Sequence, residues 1–202
     1  MNITKTFNNI NFLHIVRNCT SERCSHSIHA HNYKVAVTLE GIPGVNDGMV
    51  MDFGLFKGSI KKFLDIFKGA YVMWDKDKEV ESFVNKNFDK IIYTNFNPTA
   101  ENLSVCFYNY INEIIKHTKF NNGEDLEDLS LKCISVNETR TGQAVYNGFD
   151  TRYQSNHGVE VEEFGIELIK GFSDDEVEFM ENFEYNENRY WFENPIIEQQ
   201  VK

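Results

Sequence analysis

Cys24-Ser25-His26-Ser27-Ile28-His29-Ala30-His31-Asn32-Tyr33-Lys34-Val35-Ala36-Val37 runs a thiol and a His-x-His pair straight into an alternating apolar strand. Successive side chains on a strand face opposite ways, so His29 and His31 share a face that Tyr33, Val35, Val37 and Leu39 continue. Two imidazoles on one face of a rigid strand make half of a zinc site. Upstream, His14 closes the apolar run Ile10-Asn11-Phe12-Leu13 and can supply a third imidazole. Three neutral imidazoles with an open fourth position are the donor set of a catalytic zinc, whereas structural zinc takes four protein ligands, often thiolates.

Working outward, residues 3–13 alternate weakly and predict a strand before the one at 31–41. Ile42-Pro43-Gly44-Val45-Asn46-Asp47-Gly48 has the composition of a turn. Phe53, Phe56, Ile60, Phe63, Leu64 and Phe67 then recur at spacings of three and four, which predicts a helix over about 53–67. Asn97-Pro98-Thr99-Ala100-Glu101-Asn102 reads as a second helix start. Thr99 or Asn97 can cap it, and Glu101 lies where the helix dipole favours a carboxylate. Leu103, Cys106, Phe107, Tyr110, Ile111, Ile114 and Ile115 form its apolar stripe. Residues 129–138 alternate again, and after a turn at Thr141-Gly142 another strand begins at Gln143. This order predicts an α+β domain: an antiparallel four-stranded sheet with two helices inserted between strands 2 and 3.

The chain has 202 residues, enough for one domain of ordinary size with an appendage. We place the domain at residues 1–150 and an acidic C-terminal extension at 151–202, packing on the domain or on a neighbouring subunit. The charge drives that division. Thirteen acidic and four basic residues give the extension a net of −9, out of −11 for the whole chain, leaving −2 for the first 150 residues. Within it, a short helix is expected from Ser173 to Phe183, and Asn188-Arg189-Tyr190-Trp191-Phe192 is aromatic enough to pack. Nucleic acid is excluded as a partner by the negative balance. No apolar run of eighteen residues is present, so no membrane span is expected, and the N-terminus lacks the layout of a signal peptide. Cys19, Cys24, Cys106 and Cys133 show no C-x-x-C spacing and read as thiols of a reducing, cytoplasmic compartment. His117 and His157 read as structural.

Four motifs in this order resemble one family. They are Cys24 through Lys34, Gly48-Met49-Val50-Met51-Asp52-Phe53, Asn97-Pro98-Thr99-Ala100-Glu101-Asn102 and Val136-Asn137-Glu138-Thr139. Over roughly residues 3–148 the chain is similar to the 6-pyruvoyl-tetrahydropterin and 6-carboxytetrahydropterin synthases of the tunnelling fold. The short cysteine loop and Ala70-Tyr71-Val72-Met73-Trp74 look most like the bacterial branch that makes 6-carboxytetrahydropterin for 7-deazaguanine (queuosine-type) synthesis.

The resemblance implies a Zn2+ ion on His14, His29 and His31, with Cys24 as the catalytic base or proton shuttle. It implies a small-molecule pterin substrate, dihydroneopterin triphosphate, recognised by Glu138 with Thr99 and Glu101 completing the pocket. A homo-oligomer is implied too, a hexamer of two trimers. Two positions depart from the family pattern. Lys68 and Gly69 stand where an Asp-His pair relays protons, leaving His26 or Lys68 as substitute carriers, and Ala30 replaces a glycine between the two histidines. The expected activity is 6-carboxytetrahydropterin synthase. Its rivals are 6-pyruvoyl-tetrahydropterin synthase and a non-catalytic pterin or purine binder that has lost the relay.

Overall fold

β1 (Asn2–His14) and β2 (His29–Glu40) run antiparallel at the centre of the sheet, and the weak alternation of β1 has a structural cause. Between Phe7↔Val35 and Ile10↔Tyr33 the register slips, because Asn8 and Asn9 stand opposite the single residue Lys34. Asn9 adopts φ 62°, a left-handed conformation that asparagine tolerates better than most residues. The bulge switches the inward parity of β1 from Ile3 and Phe7 to Ile10, Phe12 and His14. Both halves of the strand thereby bury their apolar side chains.

The computed structural model describes residues 1–45, 48–116, 118–119, 129–148, 160, 163–185 and 192–193. After β2 come a 3-10 turn (Leu55–Lys57), α2 (Ser59–Ile66), β3 (Tyr71–Trp74), α3 (Glu81–Asn87), β4 (Ile91–Thr94) and α4 (Ala100–Lys116). A five-residue helix, α1 (Glu22–His26), precedes β2. Beyond α4 lie β5 (Thr118–Lys119), β6 (Ser130–Asn137), β7 (Gln143–Tyr146), β8 (Ile166–Lys170), α5 (Asp174–Tyr185) and β9 (Phe192–Glu193).

The expected four-stranded antiparallel sheet is corrected to a mixed, seven-stranded one in the order β7-β6-β2-β1-β3-β4-β8. The four expected strands are its antiparallel half. The added half is β3, parallel to the end of β1, then β4, parallel to β3, then β8, antiparallel to β4. β3 and β4 escaped the period-two reading because they are four residues long and covered on both faces. Val72 and Ile92 enter the main core, while Tyr71, Met73 and Ile91 form a second cluster with Ile15 and Val84 on the opposite side. Strands buried on both sides read as continuous apolar runs. Short β5 and β9 pair parallel in a separate ribbon.

α2 and α4 cover one face of the sheet. Phe63, Phe67 and Phe107 meet edge to face, and Phe67 reaches Phe12, which stacks on Tyr33 at 4.3 Å between ring centroids. The expected single helix over 53–67 is interrupted at Gly58, whose ψ of −122° is not helical, and Phe53 stays 50% exposed. α2 closes at Gly69 (φ 74°), a left-handed turn that glycine adopts without strain.

Residues 163–183 are part of this body. β8 closes the sheet at β4, and Phe179 and Phe183 of α5 pack in the main core beside Phe63 and Tyr110. The turn between β8 and α5 depends on Gly171, at φ 84°. A Cβ there would lie 2.2 Å from the Asp89 carbonyl oxygen. Gly171→Ala is therefore expected to cost at least about 1–3 kcal/mol, since both the backbone conformation and the backbone contact are lost. A thermal melt lowered by less than a degree would refute this. His117, His157, Tyr190 and Trp191 lie outside the described residues. Among the described residues no helix is long and apolar enough to cross a membrane.

Candidate metal and pterin site

β1 and β2 deliver three imidazoles to one end of the sheet. His14 and His29 are direct cross-strand partners, with ring centroids 4.5 Å apart, and His31 stands two residues along on the same face. Its ring lies 5.1 Å from that of His29 and 5.5 Å from that of His14. One ring nitrogen from each falls within 4.8 Å of the others.

The outer nitrogens of two rings are occupied by carbonyls. His14 Nδ1 donates to Pro98 O at 2.9 Å and His29 Nδ1 donates to Ser27 O at 2.8 Å. A carbonyl can only accept, so each Nδ1 carries the proton and each Nε2 presents its lone pair inward. His29 Nε2 is buried with no hydrogen-bond partner among the described residues. A buried, partnerless acceptor facing two more imidazoles is what a divalent cation satisfies, so the donor set fits a metal.

Burial pushes the His14 imidazolium down to a pKa of about 4. The Pro98 hydrogen bond opposes this, and the neighbouring His29 and His31 add to it. His31 is also lowered by burial, against the pull of Glu138. The His14 ring is thus neutral at pH 7 and ready to ligate. In the metal-free protein the unfolded chain takes up the His14 proton first as pH falls below 6.5. Stability is then lost progressively until about pH 4, by about 3 kcal/mol in all. Urea unfolding of the metal-free protein at pH 7 and pH 4.5 checks this; a His14→Gln variant with an undiminished slope would refute it.

Glu138 leaves the end of β6 and comes to the imidazoles, 3.5 Å from His31 Nε2 and 3.7 Å from His14 Nε2. Tyr33, a residue with no role expected from sequence beyond its place on this face, is buried beneath them. Its hydroxyl donates to Glu138 Oε1 at 3.1 Å and lies 3.3 Å from His14 Nε2. Burial first, then the Glu138 carboxylate, hold this phenol well above its ordinary pKa, with smaller contributions from Cys24 and Glu101. The signal for Tyr33 was its shared parity with His29 and His31.

Thr99 caps α4, its hydroxyl accepting Asn102 N at 3.2 Å, and Glu101 is exposed on the first turn. Cys24, expected in a loop, lies in the short helix α1, which is held from outside. Arg17 grips Asp77 through two hydrogen bonds of 2.8 and 3.0 Å and donates to Ser25 O beside Cys24. The suggested substitute proton carriers have other partners. Lys68 pairs with Asp65 at 2.7 Å, and His26 Nδ1 meets Ser25 Oγ at 2.7 Å.

Fold and site together define a protein with three converging imidazoles that could hold a metal ion, flanked by a carboxylate and a phenol, set at the end of a mixed sheet. Residues 2–148 match the family model described as 6-pyruvoyl tetrahydropterin synthase, and the chain belongs to that family. It is 35% identical over 132 residues to a 6-carboxy-5,6,7,8-tetrahydropterin synthase of Helicobacter pylori, covering 65% of each chain. It is 36% identical over 86 residues to the protein of that name in Rickettsia typhi, covering 42% of this chain and 62% of the relative. The chain thus spans just under two thirds of the length of these curated relatives. The fold is shared with an uncharacterized protein of Wolinella succinogenes (TM-score 0.54, 17% identity, 73% of this chain and 98% of the other). It is also shared with 6-pyruvoyl tetrahydropterin synthase of Plasmodium vivax (TM-score 0.52, 17% identity, 72% and 97%).

Proposed function

We propose that this protein is a zinc-dependent 6-carboxy-5,6,7,8-tetrahydropterin synthase, converting dihydroneopterin triphosphate to 6-carboxytetrahydropterin with loss of acetaldehyde and triphosphate. The observation that carries the reading is the orphaned Nε2 of His29 facing His14 and His31. The names of the relatives at 35–36% identity support the product.

His14, His29 and His31 would hold the ion, His14 and His29 through Nε2. When bound, zinc supplies Lewis-acid polarisation of the substrate side-chain oxygens. Glu138 accepts hydrogen bonds from the pterin ring N–H and exocyclic amine, a bidentate match for a carboxylate. Tyr33 fixes the carboxylate by donating to Oε1, while Cys24 Sγ carries the proton. Thr99 and Glu101 complete the pocket at the start of α4. The protein works in the cytoplasm as a hexamer of two trimers, in 7-deazaguanine synthesis.

A second reading, a pterin binder without turnover, is favoured by one observation. Lys68 is bound to Asp65 and Gly69 ends α2 in a left-handed turn, where the family carries its Asp-His pair. General acid–base help of that kind is worth on the order of 10²–10⁴ in rate. Metal analysis followed by incubation with dihydroneopterin triphosphate separates the readings. A product with the mass of 6-carboxytetrahydropterin supports the synthase, and the 6-pyruvoyl product assigns the sister activity. Bound but unconverted substrate makes the protein a binder.

A further inference from the structure

The segment Asn95-Phe96-Asn97-Pro98, between β4 and α4, is gripped from two sides. On one side it holds the site. The Pro98 carbonyl accepts His14 Nδ1 at 2.9 Å. Asn97 clamps the backbone of Arg17, accepting from its N–H at 3.1 Å and donating to its carbonyl at 2.6 Å. Arg17 in turn holds α1, the short helix that carries Cys24. On the other side the segment is held by residues 163–166, which lie beyond the family match at 2–148. Asn95 donates to Glu163 O at 2.8 Å and accepts from Gly165 N at 3.0 Å. Phe164, 2% exposed, stacks on Phe96, 1% exposed, with centroids 4.9 Å apart and planes 18° from parallel. Ile166 N then donates to Tyr110 OH on α4, so the brace is tied to the helix that the segment enters.

We infer that the C-terminal extension is a positioning element for the metal centre, with Phe164 and Asn95 as positioning residues acting on His14 through Pro98. This inference rests on reading the three imidazoles as a metal site. A carbonyl that receives the outer N–H of a ligating imidazole sets its tautomer and its aim, and losing such a partner costs about 10–100-fold in metal affinity. Within this four-residue segment Pro98 aims the ligand and Asn97 holds Arg17, while Asn95 and Phe96 are immobilised by the extension. Without that hold, Phe96 would lose its stacked cover and Asn95 both of its partners in the extension, and the Pro98 carbonyl would be free to drift.

The alternative is that the extension contributes only bulk stability, and α5 provides the control. Phe179 is also buried in the main core, and among the described residues its ring meets Phe183 and the Lys62 ammonium. In the full-length protein, Phe164→Ala and Phe179→Ala should both lower the melting temperature. Phe164→Ala should also weaken Zn2+ binding, measured by competition with a chelating indicator, by about 10–100-fold, and alter the visible absorption of the Co2+-substituted protein. Phe179→Ala should do neither. Asn95→Ala, which leaves the core packing intact, should repeat the shift and keeps the test valid if Phe164→Ala does not fold. Zinc affinity within twofold of the unaltered protein in Asn95→Ala or Phe164→Ala, or equal weakening in Phe179→Ala, overturns the inference. If the unaltered protein takes up no metal, the metal reading falls first and this inference with it.

Discussion

A His29→Ala variant is expected to remain folded while losing zinc. β2 is laddered on both sides, to β1 and to β6, so the strand does not depend on one imidazole for its place. The ring contributes an acceptor that is buried and partnerless without a metal, and removing such a group relieves a desolvation cost of about 1–3 kcal/mol. That gain offsets part of the packing lost with the ring. The metal-free variant should therefore melt close to the metal-free parent. Addition of zinc should stabilise the parent by mass action and leave the variant unmoved. Zinc affinity should fall by more than the 10–100-fold expected for an outer partner, because a ligand itself is gone. A variant that unfolds outright would make the metal mainly structural, and one that keeps parental zinc affinity would remove His29 from the ligand set.

Glu138→Gln carries the second large effect, and it separates two roles that the geometry places side by side. Glu138 stands 3.5 and 3.7 Å from two of the imidazole nitrogens, near enough to compete for a metal, yet its bond to Tyr33 aims it as an acceptor. A carboxylate that takes two hydrogen bonds from a pterin loses charge assistance at both when it becomes an amide. One amide group must also face a donor with its own NH2. At about 1.5–3 kcal/mol for each bond to a charged group, pterin binding should weaken by two to four orders of magnitude. Zinc affinity should change little. Tyr33→Phe removes only the brace and should cost about tenfold, the value of one hydrogen bond. Titration with a pterin and, separately, with zinc checks both variants. Loss of zinc in Glu138→Gln would make the residue a metal ligand, and undiminished pterin binding would leave it without the recognition role.

The convergence of the three imidazoles could be read from the chain because they stand on two strands whose pairing is local. His29-Ala30-His31 needed only the two-residue repeat of β2, and His14 needed only a hairpin that returned β1 to the same end. Even there the alternation of β1 looked weak, since the bulge at Asn8 and Asn9 resets its parity halfway. No spacing within β1 announces that reset; it exists relative to β2. Tyr33 was visible on the imidazole face but had no role until folding brought Glu138, 105 residues away in sequence, to its hydroxyl.

Periodicity and residue type determined the hairpin, the imidazole face and the α4 stripe, because each depends on neighbours within a few positions along the chain. The stripe drawn through Phe53 failed at Gly58, where a non-helical ψ leaves Phe53 in solvent. Tertiary structure alone decided the other half of the sheet. β3 and β4 are wrapped on both faces and so carry no alternating pattern, and β8 finds its place only against the edge that β4 offers. It also decided that an acidic stretch, which charge alone marks as solvated, supplies Phe164, Phe179 and Phe183 to the core. Local sequence specifies which faces are apolar. Which surfaces those faces meet is set by contacts between residues far apart in the chain, where burial is gained only once the whole sheet has formed.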